Sequence, residues 1–283
     1  NTNATVSHTY SETGKKTIYC WSESTTDTEY GKMPPFENDS YNSQNSWTEI
    51  ESIDTPLQKI YGGSTHYTAN GTIKSKMFAG AKQLKFVCSD LFENYCDPTQ
   101  PLAQSCYSFM FYDCRGLTTA PELPATTLAK SCYQYMFYGC TSLTTAPELP
   151  ATTLTHNCYQ YMFSGCTSLT TAPELPATTL TDYCYQYMFR DCTSLTTAPE
   201  LPATKLAQYC YSYMFNGCTS LTTAPELPAT TLATYCYNRM FSSCTSLQSV
   251  TTNVTYWNTS DTKEWLNNAG TNATNPTDRK SVV

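Results

Sequence analysis

Charge is scarce in this 283-residue chain: Asp, Glu, Lys and Arg together make up 14% of it. The 16 basic residues are outnumbered by 23 acidic ones, for a net charge of −7. No surplus of Lys and Arg is left to neutralise phosphates, which argues against nucleic acid as a partner. Long apolar runs are also lacking, and without a stretch of about 18 such residues no helix spans a membrane. Histidine is rare, at His8, His66 and His156. None of the three sits in an HExxH pattern, and neither a GxSxG elbow nor a phosphate-binding GxxxxGK[ST] loop occurs. No catalytic residue, cofactor site or metal site is therefore assigned, and an enzyme is the weakest reading. The opening NTNATVSHTY has no basic start followed by an apolar stretch, so no signal peptide is seen in it.

Cysteine and tyrosine are abundant, at 15 and 23 residues, and their placement is regular. The segment CYQYMFYGCTSLTTAPELPATTL begins at Cys132 and recurs with small changes. The first cysteines of six full copies, Cys106, Cys132, Cys158, Cys184, Cys210 and Cys236, stand 26 residues apart. Met110, Met136, Met162, Met188, Met214 and Met240 keep step, as do Leu117, Leu143, Leu169, Leu195, Leu221 and Leu247. A strict period in the twenties marks a solenoid with one supersecondary unit per copy. Met77 to Leu84 is a weaker copy with Ala81 in place of cysteine, and Phe92 and Cys96 belong to a shortened turn.

Within a copy, CYQYMFYG reads as a short helical turn, with Cys132 and Met136 on one face and Tyr133 and Phe137 on the next. Gly139 ends it. The Thr-rich SLTTAPEL reads as extended, and Pro147 and Pro150 forbid a helix and limit pairing between turns to short, interrupted stretches. The expected fold is an α+β repeat solenoid of short strand plus short helix, with flanking caps. Its expected parts are a β-rich N-terminal flank (1–71), the array (72–250) and a C-terminal cap (251–283).

The core aromatic-Met-Phe-x-Gly-Cys-x-x-Leu, as in YMFYGCTSL, YMFSGCTSL and YMFNGCTSL, resembles the leucine-rich repeats of the BspA-like family of surface proteins from host-associated anaerobic bacteria. The resemblance covers about two thirds of the chain. It implies a right-handed solenoid, a secreted or cell-surface location, and adhesion to a host or neighbouring-cell protein or glycan. The copies depart from the family in carrying a second cysteine eight residues upstream, where an aliphatic residue is usual. The start VSHTYSETGKKTIYC resembles the last strands of a small β-sandwich-like cap, and EWLNNAGTNAT resembles endings of such surface proteins.

Cysteines so numerous point to an oxidising compartment. Cys88/Cys96, Cys106/Cys114, Cys132/Cys140, Cys158/Cys166, Cys184/Cys192, Cys210/Cys218 and Cys236/Cys244 stand eight apart, leaving Cys20 alone. A straight helix would set residues eight apart at roughly 12 Å, too far to bridge; a fold-back at the glycine or pairing between stacked turns would each bring partners closer. In the degenerate first turn Ala81 and Ile73 replace both members together, which favours disulfides within a turn. Bonds between turns, buried free thiols and a metal ladder are the alternatives.

Among the remaining candidates, His156 has Lys130, Asp182, Gln208 and Thr234 in its place elsewhere, so it is a varied surface position. Glu122, Glu148, Glu174, Glu200 and Glu226 form a column read as solvated, with a cation site as the alternative. Of the two tyrosine columns, one is expected in the core. The other, Tyr135, Tyr161, Tyr187 and Tyr213, is a candidate partner surface, since each ring offers apolar area and a hydroxyl. Copies differ in the triplet before the first cysteine and the pair before the second, both expected to face solvent. Asn3, Asn38, Asn70, Asn253, Asn258 and Asn272 open glycosylation sequons in the flanks. The expected function is non-enzymatic binding or adhesion; the alternative is a self-assembling subunit of an extracellular fibre or coat.

Overall fold

A computed structural model describes residues 52–53, 78–92 and 102–273. No α-helix occurs among them; the segment read as helical is a chain of overlapping tight turns. In the second full copy, the amides of Cys132, Gln134, Met136, Tyr138 and Cys140 each donate to the carbonyl three residues earlier. The alternate amides, Ser131, Tyr133, Tyr135, Phe137 and Gly139, donate instead to His156, Cys158, Gln160, Met162 and Ser164 of the next copy, at 2.8–3.0 Å. An α-helix commits its interior amides and carbonyls to itself. This turn chain commits half of them and uses the rest to join neighbouring copies, leaving no amide of the segment unpaired.

The geometry demands a left-handed residue at every fourth position. Ser131, Tyr135 and Gly139 have φ of 56°, 57° and 71°, and the same rhythm recurs at Asn157, Tyr161 and Gly165 and at Tyr183, Tyr187 and Asp191. Each non-glycine residue so placed costs about 1–2 kcal/mol, or roughly 2–4 kcal/mol for Ser131 and Tyr135 in this copy. Against that, Tyr133, Met136, Phe137, Leu143, Leu149 and Leu154 are buried, worth about 1.5–3 kcal/mol each. Burial wins.

The second side of each copy is extended. Thr119, Thr145, Thr171, Thr197, Thr223 and Ser249 form a column of single parallel bridges, each to the next copy. The prolines beside them cannot donate, so bridging stays local. Leu117, Leu123, Ala125 and Leu128 point inward from this side and meet Cys106, Tyr107, Met110, Phe111 and Cys114 from the turn chain. The exposed residues of the extended side are Thr118, Thr119, Glu122, Pro124, Thr126 and Thr127, and their equivalents.

Both flanks join the array. β1 (Ser52–Ile53) pairs in parallel with β2 (Phe86–Val87). At the other end Thr252 bridges Leu227, and Asp261, Lys263, Trp265 and Asn267 accept the upward amides of Tyr237, Arg239, Phe241 and Ser243. Residues 251–273 thus build one more turn, with left-handed Glu264 and Asn268 and with Trp265 placed 6.4 Å from the Tyr237 ring.

The third left-handed column tests the strain argument. A Cβ on Gly217 (φ 76°) would collide with Asp191 Oδ1 of the copy below, whereas one on Gly165 finds its nearest neighbour, Gly139 Cα, at 3.6 Å. Gly165→Ala should cost about 1–2 kcal/mol in denaturant melts, and Gly217→Ala more. Measured against Asp191→Gly as its parent, Gly217→Ala should cost only what Gly165→Ala costs in the wild-type chain; equal losses for the two single substitutions would show that Asp191 moves aside freely.

Candidate functional site: a tyrosine-lined face

Because copies stack in register, each position of the turn becomes a column. The column one residue after the first cysteine, Tyr107, Tyr133, Tyr159, Tyr185, Tyr211 and Tyr237, is buried in the core. Two residues on, at a left-handed position, Phe109, Tyr135, Tyr161, Tyr187 and Tyr213 are half-buried. Their rings stack with centroids 4.6, 4.5, 4.2 and 4.5 Å apart and planes within 20° of parallel. Arg239 closes the row, its guanidinium 5.5 Å from the Tyr213 centroid, a cation–π cap. Burial, followed by the neighbouring phenols, pushes the Tyr161 and Tyr187 hydroxyls above their ordinary value, so both stay protonated at neutral pH.

The turn chain carries two further aromatic columns, and sequence reasoning missed both. Tyr112 and Tyr138 stack at 4.9 Å and lie tilted against Phe109 and Tyr135 at 5.7 and 5.8 Å. Tyr183, Tyr209 and Tyr235 stack at 5.1 and 4.8 Å in the preceding left-handed column. The signal was legible: Tyr ends the triplets TDY, AQY and ATY in three consecutive copies. Charges on this face are paired among themselves. Asp113 holds Arg115 at 2.8 Å, Arg190 holds Asp191 at 3.1 Å and Arg239 holds Glu264 at 2.6 Å.

The other sequence candidates are dispersed. His156 is exposed and 3.8 Å from Asp182. The glutamate column is exposed on the extended side, and among the described residues no group of three or more His, Cys, Asp or Glu is arranged to hold a metal. Asn253, Asn258 and Asn272 are exposed, with Asn258 Oδ1 accepting from the Ser260 hydroxyl at 2.8 Å. Asn3, Asn38, Asn70, His8, His66, Cys20 and Cys96 lie outside the described residues. No helix among the described residues is long and apolar enough to cross a membrane.

The model of the BspA type leucine rich repeat region matches in overlapping stretches, 64–187, 91–219 and 157–262. The chain belongs to this family. Solved structures similar to it include a leucine-rich repeat protein from Bacteroides ovatus, 17% identical over 73% of this chain and 62% of that one, with a TM-score of 0.30. A leucine rich cell surface protein from Faecalibacterium prausnitzii is 14% identical over 75% and 82% of the two chains, with a TM-score of 0.18. TLR13, solved in a complex with ssRNA13, is 14% identical over 68% and 33%, with a TM-score of 0.28. The chain thus spans about three fifths of the B. ovatus protein's length. No curated protein matches.

Inside the BspA-type turns, the eleven cysteines from Cys114 to Cys244 are buried free thiols. The within-turn disulfides expected from Cys132/Cys140 through Cys236/Cys244 are not formed in this structure. The second cysteine of each turn instead donates its S–H to a phenylalanine carbonyl of the turn below: Cys140 to Phe111, Cys166 to Phe137 and Cys192 to Phe163, each at 3.1 Å. Burial pushes the Cys114, Cys158, Cys236 and Cys244 thiols up to about 12. The folded state therefore keeps protons that the unfolded chain releases above its value of 9.0. Stability is intact below pH 9 and falls as pH rises toward 12.

Each of these thiols removes about 1.4 kcal/mol per pH unit in that window, so the four together exhaust an ordinary folding stability within about two units. Near-ultraviolet circular dichroism should show cooperative unfolding between about pH 10 and 11, and a fold intact above pH 12 would count against it. Without reductant, iodoacetamide should leave the described cysteines unmodified in the native protein and label them all in guanidinium. Intact mass decides the alternative: about two hydrogens lost per bond, and no labelling, would establish disulfides.

Proposed function

We propose that the protein is a non-enzymatic, extracellular binding module whose partner-facing surface is the half-buried tyrosine row Tyr135, Tyr161, Tyr187 and Tyr213. The observation that carries this reading is the row itself: stacked rings held half out of solvent on a backbone that bears about 1–2 kcal/mol of strain at each rung. Tyrosine in such a setting supplies rigid contact area at low entropic cost, which is why it dominates recognition surfaces. Family membership supports a cell-surface or secreted location and a protein or glycan partner. A fibre or coat subunit draws less support, because the turn at 251–273 and its tryptophans cover one end of the stack and leave only side-by-side assembly.

Immobilised protein exposed to arrays of matrix proteins and host glycans should retain at least one class of partner. Retention should fall about tenfold or more in Tyr161→Asn/Tyr187→Asn, since asparagine tolerates the left-handed backbone while removing two adjacent rings. Retention unchanged in that variant would place the binding surface elsewhere.

A further inference from the structure

The shape of the tyrosine row restricts what it binds. Rings that stack at 4.2–4.6 Å with nearly parallel planes occupy one another's faces, and Arg239 covers the last face. What reaches solvent is a line of ring edges and hydroxyls. A sugar or aromatic ligand that must lie flat on a ring face finds none from Tyr135 to Tyr213. Edges carry the positive part of the aromatic quadrupole, so they favour oxygen acceptors. Nor does the face select for charge, since Arg115, Arg190 and Arg239 each have a carboxylate of their own. The complementary partner is uncharged, extended and rich in carbonyl oxygens.

We infer that the tyrosine row binds a proline-rich polypeptide in the polyproline II conformation, lying along the solenoid axis; this rests on the face proposed above being the binding surface. Three properties of that conformation match. Its carbonyls make no internal hydrogen bonds, so they stand free to meet phenol hydroxyls and ring edges. Its pyrrolidine rings are apolar, and aromatic-lined grooves are the general means of holding them. It repeats every three residues, about 9.3 Å, close to two rungs of a row spaced 4.2–4.6 Å. One face of the peptide then meets every second rung without drifting out of register. Tyr112 and Tyr138 give the peptide an aromatic wall beside the first rungs, and Tyr183, Tyr209 and Tyr235 form a further aromatic column in the copies that carry the last rungs.

The test is titration of the full chain with a synthetic proline homopeptide of about twelve residues, four periods of that helix, beside a Gly-Ser peptide of equal length. The expected result is saturable binding of the proline peptide alone. Tyr161→Asn and Tyr187→Asn should each weaken it about tenfold, while Thr178→Ala on the extended side leaves it unchanged. Circular dichroism and thermal melts confirm that each variant is folded. Proline binding indifferent to both asparagine variants would overturn the inference. So would tyrosine-dependent retention of an array partner with no affinity for the proline peptide, an outcome that leaves the binding face itself standing. If nothing is retained on the arrays and no peptide binds, both readings fall. Self-association that disappears in the same variants would make the face a contact between copies and also overturn the proline assignment.

Discussion

Everything in this solenoid depends on every second amide of the turn chain reaching a carbonyl of the next copy. These contacts, at 2.7–3.3 Å from Ser105 through Ser243, lock equivalent residues of successive copies one above another. They also explain why the segment is not helical. A helix would satisfy its backbone alone and leave the copies joined only by side chains. Overlapping turns leave half the backbone groups pointing along the axis, at the cost of a left-handed residue at every fourth position. Tyrosine is a poor choice for that conformation, and its presence there indicates that something other than backbone comfort selected it.

Register turns a repeated residue into a column, and the column's character follows from which way its position points. Cysteines at both positions face inward; the second of each turn donates to a carbonyl of the turn below, and desolvation holds both as protonated thiols. Tyrosines one residue after the first cysteine fill the core, while those two residues later line an outer face. Two tyrosines with one residue between them thus do different work. The extended side contributes the rest of the core through its leucines and keeps threonine, glutamate and proline outside.

Much of this was legible in the repeat. The 26-residue spacing of Cys, Met and Leu identified the stacked unit and its inward-facing residues, and the prolines of APELP foretold interrupted pairing. Two things were not. The spacing of Cys132, Met136 and Cys140 suits a helix of 3.6 residues per turn about as well as a rhythm of four. Only inter-copy hydrogen bonding, a non-local term, separates them. The extra turn at 251–273 was hidden because Trp265, Leu266 and Ala269 stand where Met240, Phe241 and Cys244 set the pattern one copy earlier.

By itself, the sequence determined the unit, its repetition, the apolar columns and the absence of any recognisable catalytic constellation, because these are properties of residue type and spacing. The tertiary structure decided three further matters: turns instead of helix, the half-buried tyrosine row and the other aromatic columns, and the thiol-to-carbonyl contacts. Each depends on how one copy sits on the next, and the free energy of that stacking resides in bonds between residues about 25 positions apart.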